Sequence, residues 1–448
     1  MNARASVPPG PENTGRPRDF RIGARSDASV CRLHRAGAMQ LRRLPLLPTL
    51  VPAAGLDRAA YVGRDRGLVF VATLALFACS ANGSQDAGSD AAATPSLDGA
   101  APPPATGGDA SVPSKPTDAS APSSPPPDAS DGSSATAPTG PCDIYAAGAT
   151  PCVAAHSTVR ALYGAFDGRL YQVTRASDGS SKDIGVLTAG GIANAAAQDA
   201  FCAATSCTIS VLYDQSPNGN DLSTAPGGGA APKADVPANA SASALTIGGH
   251  RAYAVYVNPG TGYRNDVTKG VATGDEPEGE YMVASGTHFD GSCCFDYGNA
   301  ETNNRDNGAG HMEAVYLGSG PAHDSGTGPW VMADLENGLF AGTTHGVHGN
   351  NTSMPNEFVT AMVKGEPGNW AIGAGNAQAG ALTRIYAGPR PSGYDPMQKE
   401  GAIILGIGGD NSNRSAGTFY EGCITSGFPS DATDAAVQAN IVAAGYGR

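Results

Sequence analysis

Short apolar runs separated by turn residues dominate residues 141–448 of the chain. Each run has four to six residues, with Gly, Asn, Asp or Pro close by. Runs of this length, bounded by turn formers, predict the strands of an all-β sandwich. The predicted strands are Thr208–Tyr213, Tyr253–Val257, Tyr281–Ala284, Ala314–Leu317, Trp330–Ala333, Phe358–Val363, Leu382–Ala387 and Ala402–Ile407.

Two segments of the same region carry helical patterns. Ala195–Ala204 can be capped by Asn194, and Asp431–Ala444 can be capped by Ser430. Both residue types accept hydrogen bonds from the free N–H groups of a first helical turn. No internal repeat of about 20–50 residues is visible, so we expect one large β domain over 141–448.

An export signal is predicted at residues 61–79. Two arginines precede a largely apolar run that ends in Leu76-Phe77-Ala78-Cys79. A basic segment followed by about 11 such residues indicates a signal peptide, because a membrane span takes about 20. The closing motif resembles a bacterial lipoprotein cleavage site, which would make Cys79 the lipid-carrying first residue of the mature chain. The alternative is an ordinary signal peptide that is cleaved nearby.

The segments on either side of this signal have no predicted fold. Residues 1–60 precede it, and the simplest explanation is a true start downstream of Met1. Residues 80–140 are almost wholly Ala, Pro, Ser, Asp, Gly and Thr. This composition cannot bury enough apolar surface to offset the entropy of ordering, so a disordered linker is predicted. The whole N-terminal pattern favours a secreted protein or a cell-envelope lipoprotein on the extracellular side.

The charge distribution excludes one class of partner. The chain has 41 acidic and 28 basic residues, a formal net charge of −13 and no basic stripe. Nucleic acid is therefore not expected to bind. An acidic domain rich in Gly, Asn and Asp is compatible with a secreted protein that binds a neutral polymer.

Six of the nine cysteines form three close pairs along the sequence. None has zinc-site spacing, and in an exported chain such pairs are typical of disulfides: Cys142–Cys152, Cys202–Cys207 and Cys293–Cys294. The first two loops would each contribute about 2–3 kcal/mol. The adjacent Cys293 and Cys294 can also be two reduced thiols or bond to distant partners. Cys423 has no evident partner and can be a buried apolar residue.

Several long motifs of the domain carry a resemblance to a known family. The most distinctive are Thr150-Pro151-Cys152-Val153-Ala154-Ala155-His156, Tyr213-Asp214-Gln215-Ser216-Pro217-Asn218-Gly219-Asn220, Cys293-Cys294-Phe295-Asp296-Tyr297-Gly298-Asn299-Ala300-Glu301 and Gly408-Gly409-Asp410-Asn411-Ser412-Asn413. Over essentially all of 141–448 the chain resembles the catalytic domain of the α-L-arabinofuranosidase B family, glycoside hydrolase family 54. The resemblance implies a jelly-roll or concanavalin-like β-sandwich.

The resemblance also implies two catalytic carboxyl groups. Trp330–Asn337 matches the segment of the family's nucleophile, which falls on Glu336. Gly408–Asn411 matches the segment of the acid/base, which falls on Asp410. A retaining glycosidase needs such groups about 5–5.5 Å apart. Without the resemblance, Glu336 and Asp410 could also be surface acids beside turns. In a strand, Asp334 and Glu336 would point to the same face.

Further site residues are implied in the same way. In the family a vicinal disulfide forms a rigid apolar platform under the sugar ring, which implies this bond and role for Cys293 and Cys294. Candidates for hydrogen bonds to the arabinose hydroxyls are Asp334, Asn337 and Gly409. Candidates for support from behind the site are Asp296 and Glu301.

Two features depart from the family pattern. Between Gly318 and Pro329 the family typically has an aromatic residue near the substrate; here there is none, and His323 is the candidate to fill its space. Family members usually carry a β-trefoil that binds arabinofuranose side chains. The sequence stops at Arg448 without one, so targeting to polymer is expected to come from elsewhere.

Residues and resemblance together predict an exo-acting, retaining α-L-arabinofuranosidase on arabinan, arabinoxylan and their oligosaccharides. No metal or organic cofactor is implied, and His345-Gly346-Val347-His348 is interpreted as loop histidines. We expect a monomer that contacts membrane only through a lipid at Cys79. The alternative is a non-catalytic carbohydrate-binding surface lipoprotein on the same fold.

Overall fold

The computed structural model describes residues 139–320, 327–346 and 351–448. The predicted signal, the segment 1–60, nearly all of the linker and the position of His323 lie outside these residues. The elements, in chain order, are α1 Pro141–Ala147, β1 Cys152–Ser157, β2 Arg169–Arg175, β3 Ser181–Gly185, α2 Ala195–Phe201, β4 Cys207–Leu212, β5 Leu222–Thr224, β6 Ala244–Ile247, β7 His250–Tyr253, β8 Val255–Val257, β9 Tyr263–Asn265, β10 Glu278–Phe289, β11 Asp296–Ala300, β12 Glu313–Gly318, β13 Trp330–Asp334, β14 Leu339–Phe340, β15 Val359–Glu366, β16 Asn369–Asn376, β17 Thr383–Gly388, β18 Ala402–Leu405, β19 Gly417–Ser426 and α3 Asp431–Ala443.

Two antiparallel sheets contain most of these strands. The seven-stranded sheet has the order β1-β19-β10-β15-β16-β17, and β8 also pairs with β19. The ten-stranded sheet has the order β14-β13-β12-β11-β18-β9-β5-β4-β2-β3. Strands β6 and β7 form a separate hairpin. The predicted all-β sandwich is confirmed.

Both faces of the seven-stranded sheet are covered. Along β10, Met282 and Ala284 point into the core between the sheets. Tyr281 and Val283 point outward into a second cluster that includes residues of α1, α3 and the β6–β7 hairpin. Burying one large apolar side chain stabilises the fold by about 1.5–3 kcal/mol. Because apolar side chains are buried on both faces of this sheet, the sequences of its central strands are continuously apolar and do not alternate between apolar and polar residues.

The helices begin where their caps predict. The Asn194 side chain accepts a hydrogen bond from the Ala197 N–H, and Ser430 accepts one from the Thr433 N–H, each at 3.1 Å. The helix α1 has no apolar periodicity in the sequence; its start is held by Asp143, whose carboxylate accepts from the Gly140 N–H. No helix within the described ranges has the length and apolar character that a bilayer crossing requires.

The three paired disulfides are formed, and Cys423 is a buried free thiol. On β19 it lies opposite Ala155 of β1 and Tyr281 of β10. Burial raises the pKa of the Cys423 thiol well above its usual range. The thiol is therefore protonated at neutral pH, as expected for a small apolar core residue.

Two of the chain's crossings between the sheets contain residues predicted for the site. The segment from β10 to β11 leads from the seven-stranded to the ten-stranded sheet and contains Cys293 and Cys294. The segment from β18 to β19 leads back and contains Asp410. The predicted strand Ala402–Ile407 therefore ends two residues early, because Gly406 has a φ of 78° and turns the chain into this second crossing.

Candidate active site

A cavity of about 310 Å³ opens beside the two crossings and the end of β13. All seven residues predicted for the site line it: Cys293, Cys294, Asp334, Glu336, Asn337, Gly409 and Asp410. Seven further residues complete the lining: Asp306, Met312, Gly338, Leu339, His345, Gly408 and Ser412. Residues from four separate stretches of sequence thus meet at one place.

A tight turn, and not a strand, places Glu336. The expectation that Asp334 and Glu336 share one strand is wrong, because β13 ends at Asp334. Glu336 and Asn337 both have left-handed backbone, with φ of 60° and 57°. The turn is held by the Glu336 N–H, which donates to Asp334 Oδ1 at 3.1 Å, and by the Tyr394 hydroxyl, which donates to the Glu336 carbonyl at 2.9 Å. Left-handed backbone in non-glycine residues is costly and is concentrated at functional sites.

Asp334 faces another buried carboxyl group, that of Asp296. Asp296 is fully buried, and neither of its oxygens receives a hydrogen bond from a protein donor. A hydrogen bond between these two carboxyl groups needs a proton on one of them. Burial, and then the charge of Asp334, raise the pKa of Asp296 well above its usual range. Burial also raises the pKa of Asp334, to about 7.

Glu336 has a similar partner in Glu301. Burial, and next the hydrogen bond and charge of Glu301, raise the pKa of Glu336 to about 11. Burial raises the pKa of Glu301 as well, and its oxygens have no protein donor. Because two adjacent buried carboxylates repel each other, the pair retains one proton near neutral pH. Asp296 and Glu301 thus both lie behind the cavity, each against one of its acids.

Asp410 lies in the second crossing, where its Oδ1 accepts hydrogen bonds from the Ser412 N–H and hydroxyl. The preceding Gly409 packs directly against Glu301. A Cβ at position 409 would collide with Glu301 Oε2, so only glycine fits there. Gly409 therefore brings the segment of Asp410 into contact with the carboxyl pair of Glu301 and Glu336.

Arg264 of β9 binds the backbone next to Asp410 and the backbone of Glu301. Its side chain is fully buried, and its guanidinium donates to the carbonyls of Gly409 and Glu301 and pairs with Asp266. One rigid, planar group thus fixes the backbone beside Asp410 and the backbone of Glu301, the partner of Glu336. The apolar pattern of the sequence contains no signal for this role.

The disulfide of Cys293 and Cys294 forms one wall of the cavity. Cys293 is exposed and Cys294 is buried, with its sulfur 3.2 Å from Asp334 Oδ2. Gly408 packs against the same sulfur; a Cβ there would lie 3.3 Å from it. Both cysteines therefore belong to the cavity wall next to Asp334.

Asp306, His345 and Tyr394 are among the contributors to the site that were not predicted from the sequence. Asp306 accepts a hydrogen bond from Asn337 at 3.2 Å. His345, interpreted as a loop histidine, lines the cavity with its ring edge-on to Phe340. Tyr394 supports the turn of Glu336. None of the three stands in a pattern that distinguishes it from a surface residue.

A pair of acids facing one cavity at the rim of a β-sandwich, beside an apolar wall, is the arrangement of a glycoside hydrolase site. The family model described as "Alpha-L-arabinofuranosidase B, catalytic" matches residues 141–447. The chain belongs to this family.

Individual relatives agree with the family match. A "Probable alpha-L-arabinofuranosidase B" of Aspergillus terreus is 58% identical over 323 residues, which are 70% of this chain and 64% of the relative. An "Alpha-L-arabinofuranosidase" of Hypocrea jecorina is 59% identical over 315 residues, 68% of this chain and 63% of the relative. The chain thus spans slightly less than two thirds of their length.

A solved structure is similar in fold. It is an arabinofuranosidase complexed with arabinofuranosyl-alpha-1,2-xylobiose, with 57% identity and a TM-score of 0.68; the match covers 69% of this chain and 66% of that one.

Proposed function

We propose that this chain is an exo-acting, retaining α-L-arabinofuranosidase that releases terminal arabinofuranosyl groups from arabinan, arabinoxylan and their oligosaccharides. The observation that carries the proposal is the meeting of Glu336 and Asp410 in one cavity beside the Cys293–Cys294 wall. The relative in complex with an arabinofuranosyl xylobiose supports arabinoxylan side chains as one substrate class. The non-catalytic alternative is not favoured, because both carboxyl groups are present.

In the first step, the Glu336 carboxylate attacks the anomeric carbon while the Asp410 carboxyl donates its proton to the departing glycosidic oxygen. The C–O bond to the leaving sugar breaks, and an ester bond to Glu336 forms. Attack requires ionised Glu336. The raised pKa of Glu336 places the shared proton on Glu336 in the free site, so this proton must pass to Glu301, whose O–H then donates to the other oxygen of Glu336 and orients it.

In the second step, the Asp410 carboxylate removes a proton from a water molecule, which attacks the same carbon. The ester bond breaks, Glu336 is released as a carboxylate, and Asp410 is again protonated. Two inversions at one carbon give an arabinose of retained configuration. The exposed Cys293 sulfur offers an apolar surface to the face of the furanose ring during both steps.

Azide rescue separates the two carboxyl roles. Glu336→Ala and Asp410→Ala should each lower kcat on 4-nitrophenyl α-L-arabinofuranoside by about 10²-fold or more. With azide, Glu336→Ala should form the β-azide by direct displacement. Asp410→Ala should form the α-azide, because azide then attacks the glycosyl-enzyme ester. NMR of the products distinguishes the two anomers.

Asp178→Asn, a change in an exposed turn acid that pairs with Arg175, is the matched control and should retain full activity. A folded parent without activity would contradict the proposal. The β-azide from both variants, or from neither, would contradict the assigned roles.

We also propose that the chain is exported and lipid-anchored at Cys79, as a monomer. The basic segment, apolar run and Leu-Phe-Ala-Cys ending support export and anchoring. In a bacterial host, Cys79→Ser should abolish palmitate labelling and release the protein from the membrane fraction. Cys31→Ser should change neither. Palmitate labelling that survives Cys79→Ser would contradict the lipid anchor. The proposed monomer is tested by analytical ultracentrifugation, in which a species larger than one chain would contradict it.

A further inference from the structure

A second cavity, of about 550 Å³, lies on the other side of the seven-stranded sheet. It is a groove between the β6–β7 hairpin and the ends of β8, β10 and β19. Along β19, Phe419 points into the core between the sheets, whereas Tyr420 points outward into the cluster under this hairpin. The groove contains Tyr420 and shares no residue with the catalytic cavity.

Two stacked aromatic rings line the groove, and each covers one face of the other, so a ligand meets an outer face of the stack. The rings of Tyr256 and His288 are 4.0 Å apart between centroids and are inclined by only 4°. A hydrogen bond of 2.8 Å between His288 Nδ1 and the Thr418 hydroxyl fixes the imidazole. Burial lowers the pKa of His288, so its ring is neutral at neutral pH. Flat uncharged rings of this kind pack against the C–H faces of sugars.

Polar groups surround this aromatic surface. The hydroxyls of Thr246 and Thr287 are exposed, as are the side chains of Arg251 and Glu357. Arg251 pairs with Asp199 at 3.3 Å and is hydrogen-bonded to Tyr253, and its guanidinium carries five N–H donors in all. Planar donors and acceptors beside an aromatic face match the hydroxyl pairs of a neutral sugar. An anion would instead require a cluster of cations.

We propose that this groove is a second glycan-binding site, which holds a short segment of neutral polysaccharide without cleaving it. Its strands lead directly to the catalytic loops. β10 ends at Phe289, shortly before Cys293, and β19 begins at Gly417, after the crossing that contains Asp410. A polymer bound in the groove is thereby kept on the protein that trims it. This role goes beyond the proposed hydrolysis and does not depend on it.

Binding is tested without turnover in the full chain carrying Glu336→Gln. Affinity electrophoresis in arabinoxylan, and in xylan stripped of arabinose, should retard this protein. Adding Tyr256→Ala should weaken retention by about five- to tenfold, the loss expected for one aromatic contact. His288→Phe keeps a flat ring and should retain binding. Tyr386→Ala, on β17 and outside the groove, is the matched control and should bind normally.

Catalysis is measured separately in the chain with native Glu336. Tyr256→Ala should leave kcat/KM on 4-nitrophenyl α-L-arabinofuranoside unchanged and should lower the initial rate on dilute arabinoxylan. Absence of retention in every polysaccharide, or equal retention of the parent and Tyr256→Ala, would overturn the second site. Retention without activity on the nitrophenyl substrate would overturn only the proposed hydrolysis.

Discussion

The acids of the cavity and those behind it form two buried pairs, and each pair shares a proton near neutral pH. Asp296 faces Asp334, and Glu301 faces Glu336, all four with little or no solvent exposure. Each pair can ionise once near neutral pH at moderate cost, but not twice. A nucleophile can therefore be an ion in a buried site, provided that its neighbour remains an acid.

Removing the partner of Glu336 should shift the pH dependence of catalysis. Burial and Glu301 raise the pKa of Glu336, and attack needs its ionised form. In Glu301→Gln the neighbouring charge is lost and an amide N–H donates instead, so the pKa of Glu336 should fall. The acidic limb of the kcat/KM profile should move to lower pH by about one unit. Asp306 has the smallest effect of the three acids that raise the pKa of Glu336. Asp306→Asn should therefore move the acidic limb less than Glu301→Gln. An unchanged or higher acidic limb would contradict this proton assignment.

At the scale of elements, the short strand β9 connects the Asp410 segment to Glu301, which follows β11, through Arg264. Lysine keeps the charge but cannot hold two carbonyls in one plane. Arg264→Lys should therefore lower kcat by about 10- to 100-fold through misplacement of the carboxyls, with a smaller change in KM. Steady-state kinetics with circular dichroism checks this.

Arg160→Lys is the control for the loss of a buried arginine. Arg160 binds Glu421 through two hydrogen bonds of 2.6 Å, away from the cavity. This change should lower the free energy of unfolding and leave kcat of the folded protein unchanged. Equal kcat effects in the two variants would show that Arg264 supports only the fold.

The sequence predicts elements where the strand is apolar. Tyr281–Ala284 is found within β10, but β10 begins three residues earlier, because Glu278 and Glu280 are buried and paired despite their polarity. The strand β11 is missed for the same reason: Asp296 and Asn299 interrupt the apolar pattern while being fully buried. Burial of paired polar groups depends on partners that are distant in sequence.

The site residues also fall into two groups, those that the sequence predicts and those that only the structure reveals. The resemblance supplies Glu336, Asp410 and the cysteine pair, and the structure places them together. The role of Arg264 and the pairing of Glu301 with Glu336 arise from contacts across sequence separations that no local pattern encodes. The left-handed turn at Glu336 was missed because its residues are not glycine.

At the scale of the whole molecule, a charged cluster lies inside the sandwich, between the sheets. Arg390 binds Glu313 at 3.0 Å, and Lys399 binds Glu278 at 2.9 Å. Glu280 receives one hydrogen bond, from the Asn299 N–H, and its other oxygen has no protein donor. Burial, followed by the charges of Glu278 and Glu313, raises the pKa of Glu280 well above its usual range. With one proton on Glu280, the three acids and two bases of this cluster have no net charge.

This proton makes stability depend on pH. A raised pKa means that folded Glu280 keeps a proton that the unfolded chain loses above about pH 4.5. Its contribution is therefore complete below that pH and is lost as the pH rises. Glu280→Gln needs no proton, so its stability relative to the parent should increase with pH, by up to about 1.4 kcal/mol per unit. Urea unfolding between pH 4 and 8 measures this. Glu366→Gln, at a strand end, should give a curve parallel to the parent; a parallel curve for Glu280→Gln would contradict the buried proton.

The two crossings of the chain have a consequence for stereochemistry. Asp410 lies in a segment that connects the two sheets, whereas Glu336 follows a strand of the ten-stranded sheet. A shift of one sheet relative to the other would therefore change the distance between the two carboxyl groups. Retention needs a gap of about 5–5.5 Å, and about 6.5 Å already leaves room for a water and the inverting route. For the proposed hydrolysis, the packing of core side chains such as Met282 and Phe419 would therefore help to set the product anomer, although these side chains lie in the core between the sheets.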